Sequence, residues 1–301
     1  MERSYILHMF TPGKQMSPFD INMAVDAGYQ VVVPYCGVTA DEITGLTQDA
    51  IFSRGPKGVR ATGIFIGGRD VVLAADMLDT ARRAMVPPFE VSVIADPSGS
   101  YTTAAALVAC VERQLRKAHA TDLEGKRVLI LGGTGTVGRI AGVLAARLGA
   151  SVTLASHRDP EAAARAAQAT GARFDCSLDS AGVADPGVRR AAISGADVVM
   201  ATAAAGIQVM SADERAAASR LLVAADVNAV PPEGIAGVGV MDDGKPLPDG
   251  RGVGIGALAI GNVKYQVENG LLVAMRTTDK PLYLGFGEAF DKARALLAAK
   301  D

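Results

Sequence analysis

The segment Gly133-Thr134-Gly135-Thr136-Val137-Gly138 constrains the fold of this chain more than any other feature. It follows the apolar run Arg127–Leu131 and opens residues 137–148, where apolar side chains recur at helical spacing. In such a strand–turn–helix, the first glycine permits a tight turn, the second lets a phosphate approach the backbone, and the third lets the helix pack on the strand. The helix N-terminus adds free N–H groups and partial positive charge. The pattern therefore predicts a dinucleotide site to which all residues of the turn contribute.

Strand-like and helix-like stretches alternate on both sides of this turn. Before it, strands are predicted at 5–9, 30–34, 63–66 and 90–95, and helices at 18–27, 40–48, 71–85 and 102–118. After it, strands are predicted at 151–155, 196–201 and 221–225, helices at 161–169, 257–275 and 286–300, and a long Gly- and Pro-rich loop at 227–253. This alternation is typical of parallel sheets covered by helices.

We therefore predict an α/β chain of two domains. An N-terminal α/β substrate domain spans 1–118 and is completed by helices within 268–301. A Rossmann-type, doubly wound parallel-sheet domain spans 119–267 and binds the dinucleotide.

Composition excludes several other classes of protein. The formal net charge of −2 argues against nucleic acid or an anionic membrane as the partner. The apolar runs are far shorter than the ~20 residues that span a bilayer. The three cysteines and three histidines are scattered, without the spacing of a metal site or a disulfide framework. We expect a cytoplasmic protein without a structural metal.

The residues after the strand at 151–155 bear on the choice between NAD and NADP. An NAD-selective site places Asp or Glu there to bind the ribose 2′-hydroxyl, whereas this chain has Ser156, His157 and Arg158. With no carboxylate to repel it, a 2′-phosphate can accept two charge-assisted hydrogen bonds from the arginine. The alternative is a solvated arginine at a helix start. We predict that NADP is accepted and leave the use of NAD open; Ala203 and Asn228, after later strands, are further candidates for cofactor contact.

The residues that commonly move a substrate proton are missing, because there is no suitably placed Tyr-x-x-x-Lys and no close His–Asp pair. This absence favours a hydride transfer in which no hydroxyl is deprotonated. Polar clusters near predicted strand ends are the candidate substrate site. They contain Asp20, Arg54, Lys57, Asp96, Ser100, Thr102, Thr103 and Lys264. Each also has an ordinary interpretation: Asp20 and Asp96 as helix caps, Arg54 in a solvated loop, and Lys264 on a helix surface.

The polar clusters, taken in their order along the chain, make this sequence resemble the NAD(P)-dependent methylene-tetrahydromethanopterin dehydrogenases of methylotrophic bacteria. The resemblance covers nearly the whole chain. It rests on Phe19-Asp20, Ser53-Arg54-Gly55-x-Lys57, Ile64-Phe65-Ile66-Gly67-Gly68, Asp96-x-x-Gly99-Ser100-x-Thr102-Thr103, Asn228-Ala229-x-Pro231-Pro232 and Gly256-Ala257-Leu258-x-Ile260-Gly261-x-x-Lys264. It implies that a methylene bridge between two pterin-linked nitrogens is oxidised to a methenyl group, with NAD or NADP accepting the hydride, in formaldehyde oxidation and one-carbon metabolism. It also implies a homo-oligomer, a trimer or a hexamer.

The resemblance makes Lys264 the lysine that the family implicates in catalysis. The cation formed spreads over N–C–N without proton transfer, so the enzyme contributes mainly positioning and electrostatics. We hypothesise that Lys264 hydrogen-bonds and orients the pterin ring, while Asp20 supplies compensating negative charge. Two alternatives stay open. One is a methylene-tetrahydrofolate or shikimate-type NADP-dependent dehydrogenase, with Lys57 as the candidate lysine; the other is a non-catalytic dinucleotide sensor.

Overall fold

Strands and helices alternate along the chain in a computed structural model, whose described residues are 3–56 and 58–300. The strands are β1 (Ile6–Thr11), β2 (Val31–Cys36), β3 (Thr62–Ile66), β4 (Ser92–Ala95), β5 (Arg127–Leu131), β6 (Ser151–Ser156), β7 (Asp179–Gly182), β8 (Val198–Ala201), β9 (Val223–Asp226), β10 (Asp243–Pro246), β11 (Val253–Ile255) and β12 (Tyr283–Leu284). The α-helices are α1 (Pro18–Asp26), α2 (Ile43–Phe52), α3 (Val71–Arg83), α4 (Ser100–His119), α5 (Thr136–Arg147), α6 (Pro160–Phe174), α7 (Pro186–Gly195), α8 (Ala212–Ala217), α9 (Ala257–Thr277) and α10 (Phe286–Ala298). Within the described ranges, no helix has both the length and the apolar composition needed to cross a membrane.

The chain forms two compact units whose boundaries fall inside helices. The first unit ends at Thr102 and also includes residues 265–292; the second comprises 103–264 and resumes at Ala293. The boundaries lie within α4, α9 and α10.

The first unit is built on a five-stranded parallel sheet with the order β12-β4-β3-β1-β2. β3 and β4 are buried along their whole length, as expected for parallel strands covered on both faces. The chain moves from β1 outward to β2 and then returns to the other side of β1 for β3. This reversal creates a topological switch point, and ligands of open α/β sheets bind at the carboxyl ends of the strands beside such a point.

The second unit contains a seven-stranded sheet with the order β10-β11-β9-β8-β5-β6-β7. All neighbouring strands are parallel except β10, which runs antiparallel to β11 at the edge. The order from β7 to β11 is that of the dinucleotide-binding doubly wound fold, with the switch point between β5 and β8. The predicted fold class, an α/β chain with a Rossmann-type parallel sheet, is confirmed.

The structure differs from the sequence prediction around the edges of the second sheet. Residues 227–253, predicted as an irregular loop, contain β10 and the first residue of β11. β7 and α7 lie where no element was predicted. Because β10 reads Asp-Gly-Lys-Pro and β7 reads Asp-Ser-Ala-Gly, neither has the β-branched or aromatic residues typical of strands. β10 becomes a strand by pairing with β11, and β7 becomes one by pairing with β6.

Candidate functional site

The glycine turn after β5 begins one residue before the motif. Gly132 has a φ of +77°, a left-handed conformation that favours glycine, and it turns the chain. Gly133 instead packs against the next strand: its N–H donates to the carbonyl of Ala155 (3.0 Å), and a Cβ would lie 2.8 Å from Leu154 Cα. The turn-making role predicted for Gly133 therefore belongs to Gly132. Gly133 has to be glycine because β6 leaves no room for a side chain.

The N-terminus of α5 is the part of the turn suited to a phosphate. Gly135 is the N-cap, with a φ of −72°. The first bond within the helix runs from the N–H of Arg139 to the carbonyl of Gly135 (3.0 Å). The N–H groups of residues 136–138 therefore have no partner within the helix. A Cβ on Gly135 would meet the carbonyl oxygens of Gly132 at 3.4 Å and Thr202 at 3.8 Å, which are ordinary van der Waals contacts, so the protein does not exclude a small group beside this residue.

A cavity of about 520 Å³ lies against this turn. Its wall comes from the carboxyl ends of β5, β6, β7 and β8 and the segments that follow them. The lining residues are Leu131, Gly132, Thr134, Gly135, Ser156, His157, Arg158, Asp159, Ala162, Val183, Arg189, Thr202, Ala203, Ala204, Ile207, Gln208 and Val209. The structure thus brings together the predicted contacts Thr134, Gly135, Ser156, His157, Arg158 and Ala203. The other predicted contacts, Gly133, Thr136, Val137, Gly138 and Asn228, are outside this wall.

The segment between β6 and α6 contains a carboxylate, Asp159, that sequence reasoning missed. His157 and Arg158 are exposed, whereas Ser156 is buried and its hydroxyl accepts the N–H of Asp159 (3.2 Å). Sequence reasoning counted no carboxylate beside Ser156, His157 and Arg158, but Asp159 lines the same cavity. Asp159 caps α6, and hydrogen bonds led by the N–H of Ala162 hold its pKa below the usual value. Its charge is offset by Arg165 at 3.1 Å. An Asp followed by a Pro was the available signal for this cap.

Thr202 joins the end of β8 to the glycine turn. Its N–H donates to the Leu131 carbonyl (2.8 Å), and its hydroxyl lies 3.2 Å from the carbonyl oxygens of Leu131 and Gly132. A Cβ on Gly138 would lie 2.7 Å from Thr202 Oγ1. The third glycine of the motif is therefore needed for packing at the β5–β8 switch point.

The segment after β9 is held by the carboxylate of Asp226. One carboxylate oxygen accepts the N–H of Asn228 (2.9 Å), and the other accepts those of Gly234 (2.7 Å) and Ile235 (3.1 Å). Burial raises the pKa of Asp226 above its usual value, although these N–H groups oppose the change. The Asn228 side chain is also engaged, accepting the N–H of Gly206 (3.1 Å) and donating to the Pro232 carbonyl (2.8 Å). Asn228 thus positions the loops after β8 and β9.

Replacing Asp226 with Asn is expected to destabilise the protein by about 1–3 kcal/mol, because at least one buried N–H loses its acceptor. The measurement is the free energy of unfolding from urea titration. Glu233→Gln is the matched control: this carboxylate is on the same loop but exposed, and its loss should change stability by less than about 0.5 kcal/mol. Equal midpoints for Asp226→Asn and the native protein would show that the three N–H groups do not depend on the carboxylate.

In the first unit, Asp20 lies beside the switch point of the sheet. It is in the first turn of α1, which follows β1, and it is only 2% exposed. The Ser17 hydroxyl caps this helix by accepting the N–H of Asp20 (3.5 Å). A buried carboxylate is costly without compensating charge or hydrogen bonds, and the positive end of α1 supplies part of that compensation.

Asp96, Ser100 and Thr102 lie together at the start of α4, where each takes part in hydrogen bonds. Asp96 Oδ1 accepts the N–H of Tyr101 (2.8 Å) and of Thr102 (3.2 Å), and Oδ2 accepts the Thr102 hydroxyl (2.6 Å). The Ser100 hydroxyl donates to the carbonyl of Pro97 (2.6 Å). All three predicted residues are at most 1% exposed. The cluster fixes the beginning of α4; Thr103, the next predicted residue, is half-buried.

Arg54 lies at the opposite end of this sheet. Its guanidinium donates to the carbonyls of Ser4 (3.1 Å) and Ala61 (3.4 Å), which precede β1 and β3. The N–H of Asp96 donates instead to the carbonyl of Ile66 at the far end of β3 (3.0 Å). Five residues of strand, about 16 Å, separate the two ends. The structure therefore does not bring Arg54 together with Asp96. Lys57, predicted beside Arg54, is outside the described residues.

The predicted catalytic lysine lies on α9. Lys264 is 9% exposed, and lysines as buried as this are rare unless they are paired. Asn262, Lys264 and Glu268 each have electrostatic or hydrogen-bond partners. Glu268, one helical turn after Lys264, is fully buried and was not predicted.

Comparison with known proteins gives the family. Residues 18–98 match the family model described as methylene-tetrahydromethanopterin dehydrogenase, N-terminal. A NAD(P)-dependent methylenetetrahydromethanopterin dehydrogenase of Methylorubrum extorquens is 49% identical over 293 residues, which cover 97% of this chain and 98% of that protein. The bifunctional protein MdtA of the same organism is 33% identical over 270 residues, covering 90% and 91%.

Among solved structures, the ornithine carbamoyltransferase of Pyrococcus furiosus superposes with a TM-score of 0.52 and 15% identity, covering 92% of this chain and 86% of that one. At this identity the likeness concerns the fold alone. The family model and the 49% identical relative go further and confirm the resemblance inferred from the sequence. This chain belongs to the family of NAD(P)-dependent methylene-tetrahydromethanopterin dehydrogenases.

Proposed function

We propose that this protein oxidises methylene-tetrahydromethanopterin to methenyl-tetrahydromethanopterin and passes the hydride to NAD⁺ or NADP⁺. The observation that carries this proposal is 49% identity along 97% of the chain with an enzyme named for that substrate and cofactor pair. We assign the cofactor to the predicted domain at 119–267, which contains the glycine turn, and the pterin to the predicted domain at 1–118 with 268–301.

The residues around the large cavity fit a dinucleotide. The space beside Gly135 and the N–H groups of residues 136–138 suit a pyrophosphate. Ser156, His157 and Arg158 stand where the adenosine ribose is read, one strand away from the turn. Ala203 is on the nicotinamide side of the turn, and Asn228 holds the adjacent loops. When bound, the nicotinamide ring supplies the hydride acceptor.

On the pterin side, this chain needs to bind and orient the substrate rather than move a proton. We assign orientation of the ring to Lys264 and stabilisation of the developing N–C–N cation to the Asp20 carboxylate. Lys57, Asp96, Ser100, Thr102 and Thr103 remain proposed substrate-binding residues, whereas Arg54 is hydrogen-bonded at the opposite end of the sheet and is not assigned to this site. Because the polar groups of Asp96, Ser100 and Thr102 are engaged with one another or with backbone, we propose that they act by shaping the start of α4.

The activity is tested by following the absorbance of reduced cofactor with the purified protein. Methylene-tetrahydromethanopterin and methylene-tetrahydrofolate are each supplied with NAD⁺ and with NADP⁺. Turnover with the methanopterin substrate is the expected result. Turnover with the folate alone would move the assignment to the alternative dehydrogenase. Cofactor binding without turnover on either pterin would indicate a dinucleotide sensor.

Replacing Arg158 with Ala is expected to raise the Michaelis constant for NADP⁺ by about 10- to 100-fold, because a charge-assisted hydrogen bond contributes about 1.5–3 kcal/mol. The constant for NAD⁺, which lacks the 2′-phosphate, should change less than about twofold. Steady-state kinetics with both cofactors measure this ratio, and His157→Ala is the neighbouring control. Equal losses for the two cofactors would remove Arg158 from 2′-phosphate recognition.

We further propose that the protein is a cytoplasmic homo-oligomer, a trimer or a hexamer. Light scattering coupled to gel filtration measures the mass directly, and a monomer of 30.9 kDa is the result that would overturn the oligomer.

A further inference from the structure

The wall of the cofactor cavity contains a second arginine that the glycine motif does not predict. Arg189 is in the first half of α7, which follows β7. Its Nε donates to Glu214 Oε1 at 2.6 Å, and its side chain is 25% exposed. In the described part of the chain, neither of its terminal Nη groups has a hydrogen-bond partner. The outer edge of the guanidinium is therefore available to a ligand.

Glu214 holds this guanidinium in one orientation. Its other carboxylate oxygen accepts the N–H (2.9 Å) and the hydroxyl (3.0 Å) of Ser211, the N-cap of α8. Burial acts to raise the pKa of Glu214, but the bonds from Ser211 and Arg189 outweigh it and leave the pKa below its usual value. An ionised carboxylate fixed by a helix cap removes much of the rotational freedom of Arg189. A ligand therefore meets a preorganised, planar cation.

The order of the strands places Arg189 on the adenosine side of the cavity. The glycine turn follows β5, the ribose-reading residues follow β6, and α7 follows β7, the outermost strand on that side. α7 leads from β7 back toward β8 and packs against α8. Arg189 therefore lies in the cavity wall between the ribose-reading residues after β6 and the segment after β8, whereas the nicotinamide side lies toward β9. The neighbouring wall is apolar, with Val183, Ile207 and Val209.

We propose that Arg189 binds the adenine base of the cofactor, with its guanidinium against the base and the apolar residues beside it, so that it serves NAD and NADP alike. Arginine stacks on aromatic faces, and such a contact adds to the affinity for the base. Arg158 then reads the 2′-phosphate, and Arg189 provides affinity common to both cofactors. This inference rests on the proposed function, since it assigns a subsite of the same cofactor.

The test compares Arg189→Met, which keeps side-chain length and loses the planar cation, with Arg158→Ala. Isothermal titration with NADP⁺, NAD⁺ and ADP-ribose gives the dissociation constants. For Arg189→Met we expect all three to rise by a similar factor, about 3- to 30-fold. Arg189→Lys keeps the charge and the partner Glu214, so it guards against misfolding and should show a smaller loss for the same three ligands.

The outcomes separate the inference from the proposed function. A loss confined to NADP⁺ would assign Arg189 to the 2′-phosphate and overturn the adenine contact. Unchanged affinities with a lowered melting temperature would make Arg189 purely structural and also overturn it. Either result leaves native turnover on the pterin intact. Failure of the native protein to bind any of the three ligands would overturn the proposed function itself.

Discussion

A Gly135→Ala variant is expected to fold as the native protein does and to bind NADP⁺ and NAD⁺ about 100-fold more weakly, or worse. The backbone at this position is compatible with alanine, since φ is −72°, and the new Cβ would make only an ordinary contact at 3.4 Å. The methyl group would instead occupy the space that we propose for the pyrophosphate at the N-terminus of α5. Two charge-assisted hydrogen bonds from N–H groups, at about 1.5–3 kcal/mol each, account for a loss of this size. Isothermal titration measures binding, and urea titration measures stability.

Two matched variants are the controls for this experiment. Gly135→Ser adds the same Cβ together with a good N-cap hydroxyl, so a loss of affinity there cannot be assigned to a weaker helix start. Gly133→Ala places its Cβ 2.8 Å from both Ile130 O and Leu154 Cα, which are backbone atoms that cannot move aside. It should lose stability, by about 1–3 kcal/mol or more. Native affinity in Gly135→Ala would show that no phosphate approaches this turn.

Strong local patterns made most of the second unit predictable. β5 was predicted with its observed bounds, because four of its five residues are large aliphatic side chains and a glycine turn follows directly. β7 and β10 were not predictable in this way, since their residues favour turns and become strands only by pairing with a neighbour. α7 was missed although its signals were readable: Asp185 accepts the N–H of Val188 (2.9 Å) as N-cap, and Pro186 follows it. Missing α7 also concealed Arg189.

The candidate site was also predictable only in part. Sequence reasoning could find polar residues at strand ends, because these meet at one edge of a parallel sheet. It could not show which of their hydrogen-bonding groups are already engaged. Asn228 and Asp96 have the chemistry of ligand contacts, but contacts with loops distant in sequence or within the α4 start occupy their polar atoms. From the sequence, the basic loop at 53–60 was predicted to belong to the same site. The folded sheet instead places Arg54 at the other end of β3.

Replacing Lys264 with Ala is expected to lower kcat/KM for methylene-tetrahydromethanopterin by about 100-fold or more, since misplacing a reacting group by about 1 Å can have that effect. Affinity for NADP⁺ should change less than about threefold. The physical reason is that Lys264 is 9% exposed on a helix, so its ammonium is held in place rather than moving in solvent, and a hydrogen bond from it can fix the pterin ring. Stopped-flow absorbance of the reduced cofactor in single turnovers measures the hydride step separately from product release.

The comparison that assigns the effect to this ammonium uses two further variants. Lys280→Ala removes an exposed lysine and should leave kcat/KM unchanged, which excludes a general effect of net charge. Asp20→Asn removes the proposed compensating charge while keeping the shape of the side chain. If Asp20 stabilises the N–C–N cation, this variant should slow the hydride step itself, whereas loss of the orienting lysine should also weaken pterin binding. Native single-turnover rates in Lys264→Ala would contradict the orienting role of the lysine. Native rates in Asp20→Asn would contradict the electrostatic role of the aspartate. Each role requires its group during hydride removal.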